Sequence, residues 1–137
     1  MIKAMQKGFT LIEVMIVVAI IGIIASIALP NYSDYVKSGM ATTATSELAN
    51  ARIQLEQCYQ DTRDYSHGDC ADACPTDGSS FAYTCTRNND GTYDLSALGS
   101  GKVSGFSFTI DEQNYKTSIY DGVGGDGCWK TSKTSSC

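Results

Sequence analysis

From Phe9 to Leu29 the chain runs through twenty-one residues whose only charge is Glu13. At about 1.5 Å per helical residue, such a run is long enough to cross a hydrocarbon layer roughly 30 Å thick. Beyond Pro30 the apolar or small positions thin to Tyr32, Tyr35, Val36, Met40, Ala44, Leu48, Ala51, Leu55 and Cys58, nearly the spacing of one helix face. Lys37, Thr42, Glu47, Asn50 and Gln57 fall opposite, so a helix over 31–59 has one side to bury and one to wet. Residues 60–80 lose the period and are rich in Asp, Gly, Ser and Cys, a connecting loop that something must hold. Alternation then returns at Phe81, Tyr83 and Cys85, at Tyr93 and Leu95, at Phe106, Phe108 and Ile110, and at Tyr115, Thr117 and Ile119. This predicts four strands over 81–120. Asn88 to Gly91 and Asp111 to Asn114 are short polar links suited to hairpins, and Gly99 to Lys102 is a looser turn. The predicted fold class is α+β: a long N-terminal helix, membrane-spanning in its first half, packed on a four-stranded antiparallel sheet. A Gly-rich tail over 121–137 closes the chain.

Charge and cysteine content narrow the picture. The chain has 137 residues, enough for one small domain. Residues 31–137 hold 8 Lys/Arg against 14 Asp/Glu, a net of −6, which opposes broad attraction to nucleic acid. All six cysteines, Cys58, Cys70, Cys74, Cys85, Cys128 and Cys137, follow the apolar run. An even number in a small loop-rich domain reads as a disulfide framework in an oxidising compartment.

Glu13 is the anomaly. A carboxylate costs about 2.5–3.5 kcal/mol at mid-bilayer and less near the interface, so it calls for a partner. Hydropathy leaves a cleaved secretory signal and a retained anchor both open, since Ala25-Ser26-Ile27-Ala28 offers a passable cleavage site. The stretch Lys7-Gly8-Phe9-Thr10-Leu11-Ile12-Glu13, followed by the apolar run and Pro30, resembles the class III signal of type IV pilins and pseudopilins. Farther on, Phe81-Ala82-Tyr83-Thr84-Cys85, the Tyr-x-Leu and Phe-x-Phe-x-Ile strands and Cys128-Trp129 resemble a group of short bacterial pilins, disulfide-rich as here.

The resemblance implies a leader over 1–8, an assembly helix over 9–30 and a globular head over 31–137. Prepilin peptidase would cut between Gly8 and Phe9, leaving an N-methylated Phe9, and Glu13 would pair with the Phe9 amine of a neighbouring subunit. Gly22 and Pro30 fall where the family's helix bends or loosens, and a kink or local melting is expected near 26–30. By analogy with the short pilins, Cys128 would bond Cys137, Cys85 would bond Cys70 or Cys74, and Cys58 would take the remaining cysteine.

Other chemistry has thinner support. His67 is the only histidine, so no triad can be assembled around a choice of bases, and no enzyme, catalytic residue or cofactor is expected. Cys70 and Cys74, with His67 and Asp72 close by, form a zinc half-site pattern that disulfide bonding outweighs. Asp121 to Gly127 has a partial calcium-loop flavour but lacks a third acid, and a turn is the simpler reading. Arg87, Lys102, Lys116, Lys130 and Lys133 offer a basic set for DNA, weighed against a solvated mixed-charge surface.

The leading expectation is a pilus subunit. It would be held in the bacterial inner membrane with its head in the periplasm, then assembled into a surface filament, with itself or other pilins, for adhesion, twitching motility or DNA uptake. The peptidase and the assembly platform are the implied partners. Alternatives are a type II secretion pseudopilin and a monomeric anchored module that binds DNA or a surface.

Overall fold

The computed structural model describes residues 8–137 and divides into two compact units, one ending at Tyr35 and one spanning Val36–Cys137. The leader predicted over 1–8 lies outside the described residues except for Gly8. A single helix, α1, runs Leu11–Thr62. In the first unit its apolar side chains, Leu11 and Ile12 through Ile24 and Ile27, stand exposed. Among the described residues this is the one helix long and apolar enough to cross a membrane. In the single chain the helix continues through Pro30. Proline's fixed φ is itself helical and removes one donor. Nearby, the Ser26 hydroxyl donates to the Ile23 carbonyl at 2.7 Å and the Asn31 amide to that of Ile27 at 3.1 Å, so these side chains are satisfied within the helix.

The second unit is built on one face of α1. Ala41, Ala44, Leu48, Ala51 and Leu55 are buried there, and the three alanines let the sheet approach closely. The sheet has five strands in the order β1 (Phe81–Arg87), β2 (Tyr93–Gly99), β3 (Ser107–Asp111), β4 (Lys116–Tyr120) and β5 (Val123–Asp126). Every neighbouring pair is antiparallel, with Cys85 opposite Leu95, Ala97 opposite Phe108, and Phe108 opposite Ser118. Tyr93, Leu95, Phe108 and Ile110 point inward to α1 and join Val103, Phe106 and Tyr120 in one core. Each such side chain, taken from water, contributes about 1.5–3 kcal/mol before entropy is counted. Gly99 ends β2 where a Cβ would strike the Val103 carbonyl, so the turn into β3 needs glycine there.

Three expectations need correction. The sheet has five strands, not four, because Val123–Asp126 pairs with β4. Its sequence, Val-Gly-Gly-Asp, has no alternation to read. It is drawn into the sheet by the free edge of β4 and by a two-residue turn at Asp121 and Gly122, both with positive φ (52° and 82°). On β4 the inward residues are Ser118 and Tyr120, whereas Tyr115 and Ile119 are 50% and 45% exposed. The apolar alternation there marks the outer face. Tyr32 and Tyr35, placed on the buried face of the helix, are exposed.

Three disulfides tie loop and tail to this frame. Cys58 at the end of α1 bonds Cys70 in the 3-10 turn Gly68–Ala73, Cys74 bonds Cys85 on β1, and Cys128 bonds Cys137.

Candidate assembly site

Thr10 and Glu13 form the start of α1. The Glu13 amide donates to the Thr10 hydroxyl at 3.3 Å, and the Thr10 amide donates to Glu13 Oε2 at 3.4 Å. This reciprocal arrangement is a capping box, satisfying two of the helix's orphan donors. The Glu13 carboxylate is thereby held against the helix start beside Phe9, Val14 and Val17, with which it lines one recess. Phe9 itself is 84% exposed. The T-x-x-E spacing was there to be read, and Thr10 is the residue that sequence reasoning passed over. Gly22 has no atom within 4 Å of where a Cβ would sit, so nothing in its own chain requires glycine there. Pro30 lies in the helix, and its side chain is outside the described residues.

In the head, Glu56 accepts hydrogen bonds from the Tyr65 hydroxyl at 3.0 Å and the Tyr93 hydroxyl at 3.1 Å, with Arg52 3.8 Å away. Burial, then the bond to Glu56, pushes the Tyr65 hydroxyl up to about 12. Burial followed by the Glu56 charge holds Tyr93 well above the usual phenol range. Tyr65 stacks on Tyr59 and meets Tyr93 edge-on. Arg87 donates to the carbonyls of Tyr65 and His67 at 3.1 and 2.9 Å, fastening the connecting loop to the end of β1. At the tail, Trp129 donates to the Thr109 carbonyl at 2.8 Å and carries Lys116 over its ring at 4.9 Å. Ser118 Oγ donates to the Cys128 carbonyl and accepts from the Lys130 amide. That explains a buried serine on β4.

The remaining candidates sort plainly. His67 caps the 3-10 turn, accepting from the Asp69 amide at 3.3 Å, and the neighbouring Cys70 and Cys74 are bonded to other cysteines rather than left as thiolates for zinc. No group of three or more metal-ligating side chains occurs among the described residues. Arg87 and Lys116 lie at one end of the sheet and Lys102, beside the β2–β3 turn, at the other, so the basic set does not form one strip.

Comparison with known proteins decides the family. Residues 3–29 match the prokaryotic N-terminal methylation motif, and residues 30–126 match the family described as type IV minor pilin ComP, DNA uptake sequence receptor. The chain belongs to the type IV pilins. A fimbrial protein of Dichelobacter nodosus is 38% identical over 114 residues, covering 79% of this chain and 68% of that protein. A type IV major fimbrial protein FimA of the same organism is 36% identical over 123 residues, 86% of this chain and 72% of the relative. No solved structure matches the chain. Pilins are structural, non-enzymatic subunits of pilus filaments. The methylation motif and the apolar helix start of this pilin fit a membrane-anchored precursor and a pilus fibre.

Proposed function

We propose that this pilin is cut between Gly8 and Phe9 by a prepilin peptidase, held in the inner membrane by residues 9–30, and then polymerised through that helix into a type IV pilus. The observation that carries the reading is Glu13, a carboxylate in an exposed apolar run that, among the described residues, accepts from the neutral Thr10 amide of its own first turn. Cleavage creates an ammonium at Phe9. In an apolar helix bundle, the ammonium of a neighbouring subunit is a stronger donor to Glu13 than the Thr10 amide, because opposite charges cancel each other's burial cost. A subunit one helical turn out of place would leave both charges unpaired, so the pair specifies register.

The test compares wild type, Glu13→Ala and Gly8→Arg for leader removal and for filaments recovered by shearing. Glu13→Ala should be cleaved and inserted yet give almost no filament, and Gly8→Arg should remain uncleaved in the membrane. Normal filament yield from Glu13→Ala would sink the proposal.

A second reading, DNA uptake, is favoured by the match of residues 30–126 to a family described as a DNA uptake sequence receptor. Lys102, Lys130 and Lys133 would then make the phosphate contacts, and binding would weaken steeply with added salt. Gel retardation of duplex DNA by the full chain in detergent, at low and moderate salt, tests it; no retardation at low salt removes it.

A further inference from the structure

The two ends of the sheet differ in charge. At one end lie the β1–β2 and β3–β4 hairpins and the last turns of α1, joined by the Tyr65 and Tyr93 bonds to Glu56 and the grip of Arg87 on the loop. Asp64, Asp69, Asp90, Asp94, Asp111 and Glu112 sit on this end. The cations beside them are Arg63, Arg87 and Lys116, of which Arg87 is engaged by carbonyls and Lys116 by the Trp129 ring. At the opposite end lie the β2–β3 connection, the β4–β5 turn and the tail. Here Lys102 and Lys133 are exposed and Lys130 half-buried, while Asp121 pairs with Lys133 at 3.7 Å and Asp77 accepts from the Tyr83 amide. Val123 stands exposed in a recess with Lys130 and Lys133, while Leu98 and Ile119 flank Ser107 in an exposed row on the outer face of the sheet.

We infer that the lysine end of one head docks on the carboxylate end of a second copy of this chain. The match is head-to-tail, between different surfaces, so each added copy presents a fresh end and the contact propagates as an open helical array. This rests on the reading of the chain as a polymerising subunit. It adds that contacts between heads, and not the helix alone, orient successive subunits. Charge complementarity at these ends also makes the array sensitive to salt.

The experiment is zero-length carbodiimide cross-linking of sheared filaments of the processed chain, followed by peptide mapping. Strands of five to seven residues separate the two ends by about 17–23 Å. A direct amide link from Lys102 or Lys133 to Asp111 or Glu112 at the far end therefore joins two molecules. Such links are expected, and Lys130→Glu with Lys133→Glu should cut filament recovery about tenfold in moderate salt. Adding Asp111→Lys and Glu112→Lys to the same chain should restore it. Filaments that form without those links overturn the inference and leave the proposed polymer intact. A wild-type chain that never enters filaments overturns both. If the lysine variants assemble normally but lose retention of duplex DNA, the lysine end is a nucleic-acid surface and the inference fails.

Discussion

One helix serves two regions that solve burial in opposite ways. Between Leu11 and Ile27 the apolar side chains of α1 are exposed on all sides, while from Ala41 to Leu55 a single stripe of small and apolar residues is fully covered by the sheet. The second region finds its partner in its own chain. The first, among the described residues, keeps its hydrophobic run exposed, the state of a segment made for lipid or for copies of itself. Polar groups follow the same division. Ser26 and Asn31 turn back to their own helix, whereas Glu56, Arg87 and Trp129 bridge elements far apart in sequence.

Mutations on the two sides should therefore give different readouts. The largest stability effect is expected from Phe108→Ala, which empties the centre of the core and should cost about 3–5 kcal/mol in denaturant unfolding of the head. Ile20→Ala, on the exposed run, should leave that unfolding midpoint unchanged. An equal loss from Ile20→Ala would break the comparison.

Next comes the Cys58–Cys70 bridge. Replacing both cysteines with serine frees the connecting loop from α1 and should lower stability by about 2–5 kcal/mol, read from thermal unfolding without reductant. Trp129→Phe keeps most of the ring but loses the bond to Thr109, and a drop of about 1 kcal/mol is expected, with the tail becoming more open to proteolysis. Unchanged cleavage of the tail would show that Trp129 does not anchor it.

The smallest effect is a pH dependence. Tyr65 ionises near 10 when unfolded but only at about 12 when folded, and Tyr93 shifts the same way. The folded state thus keeps protons that the unfolded state releases, so stability should fall as pH rises from about 10 to 12. Tyr65→Phe should flatten that decline in alkaline unfolding curves. A decline of unaltered slope would assign it to other groups.

Much of this was legible in the chain because periodicity is local. The apolar run, the helix stripe through Ala44, Leu48, Ala51 and Leu55, and the inward sets on β1, β2 and β3 follow from residue type at fixed spacing. The start of α1 carries a local signal too, the Thr10-x-x-Glu13 spacing of a capping box. The Asp-Gly turn before β5 was a comparable signal, hidden by the glycines that follow it.

What the sequence alone determined, then, is most of the elements and the features that identify the family: an N-terminal methylation motif, an apolar helix with one acid, and alternating strands. The tertiary structure decided everything that depends on a distant neighbour. Ser118 faces inward because the tail's backbone bonds to it, a glycine-rich segment becomes a strand because β4 has a free edge, and the loop cysteines Cys70 and Cys74 bond those brought beside them by α1 and β1. The reason is that side-chain pattern is set within a few residues, whereas a hydrogen-bond or disulfide partner is set by which surfaces the packed core brings together.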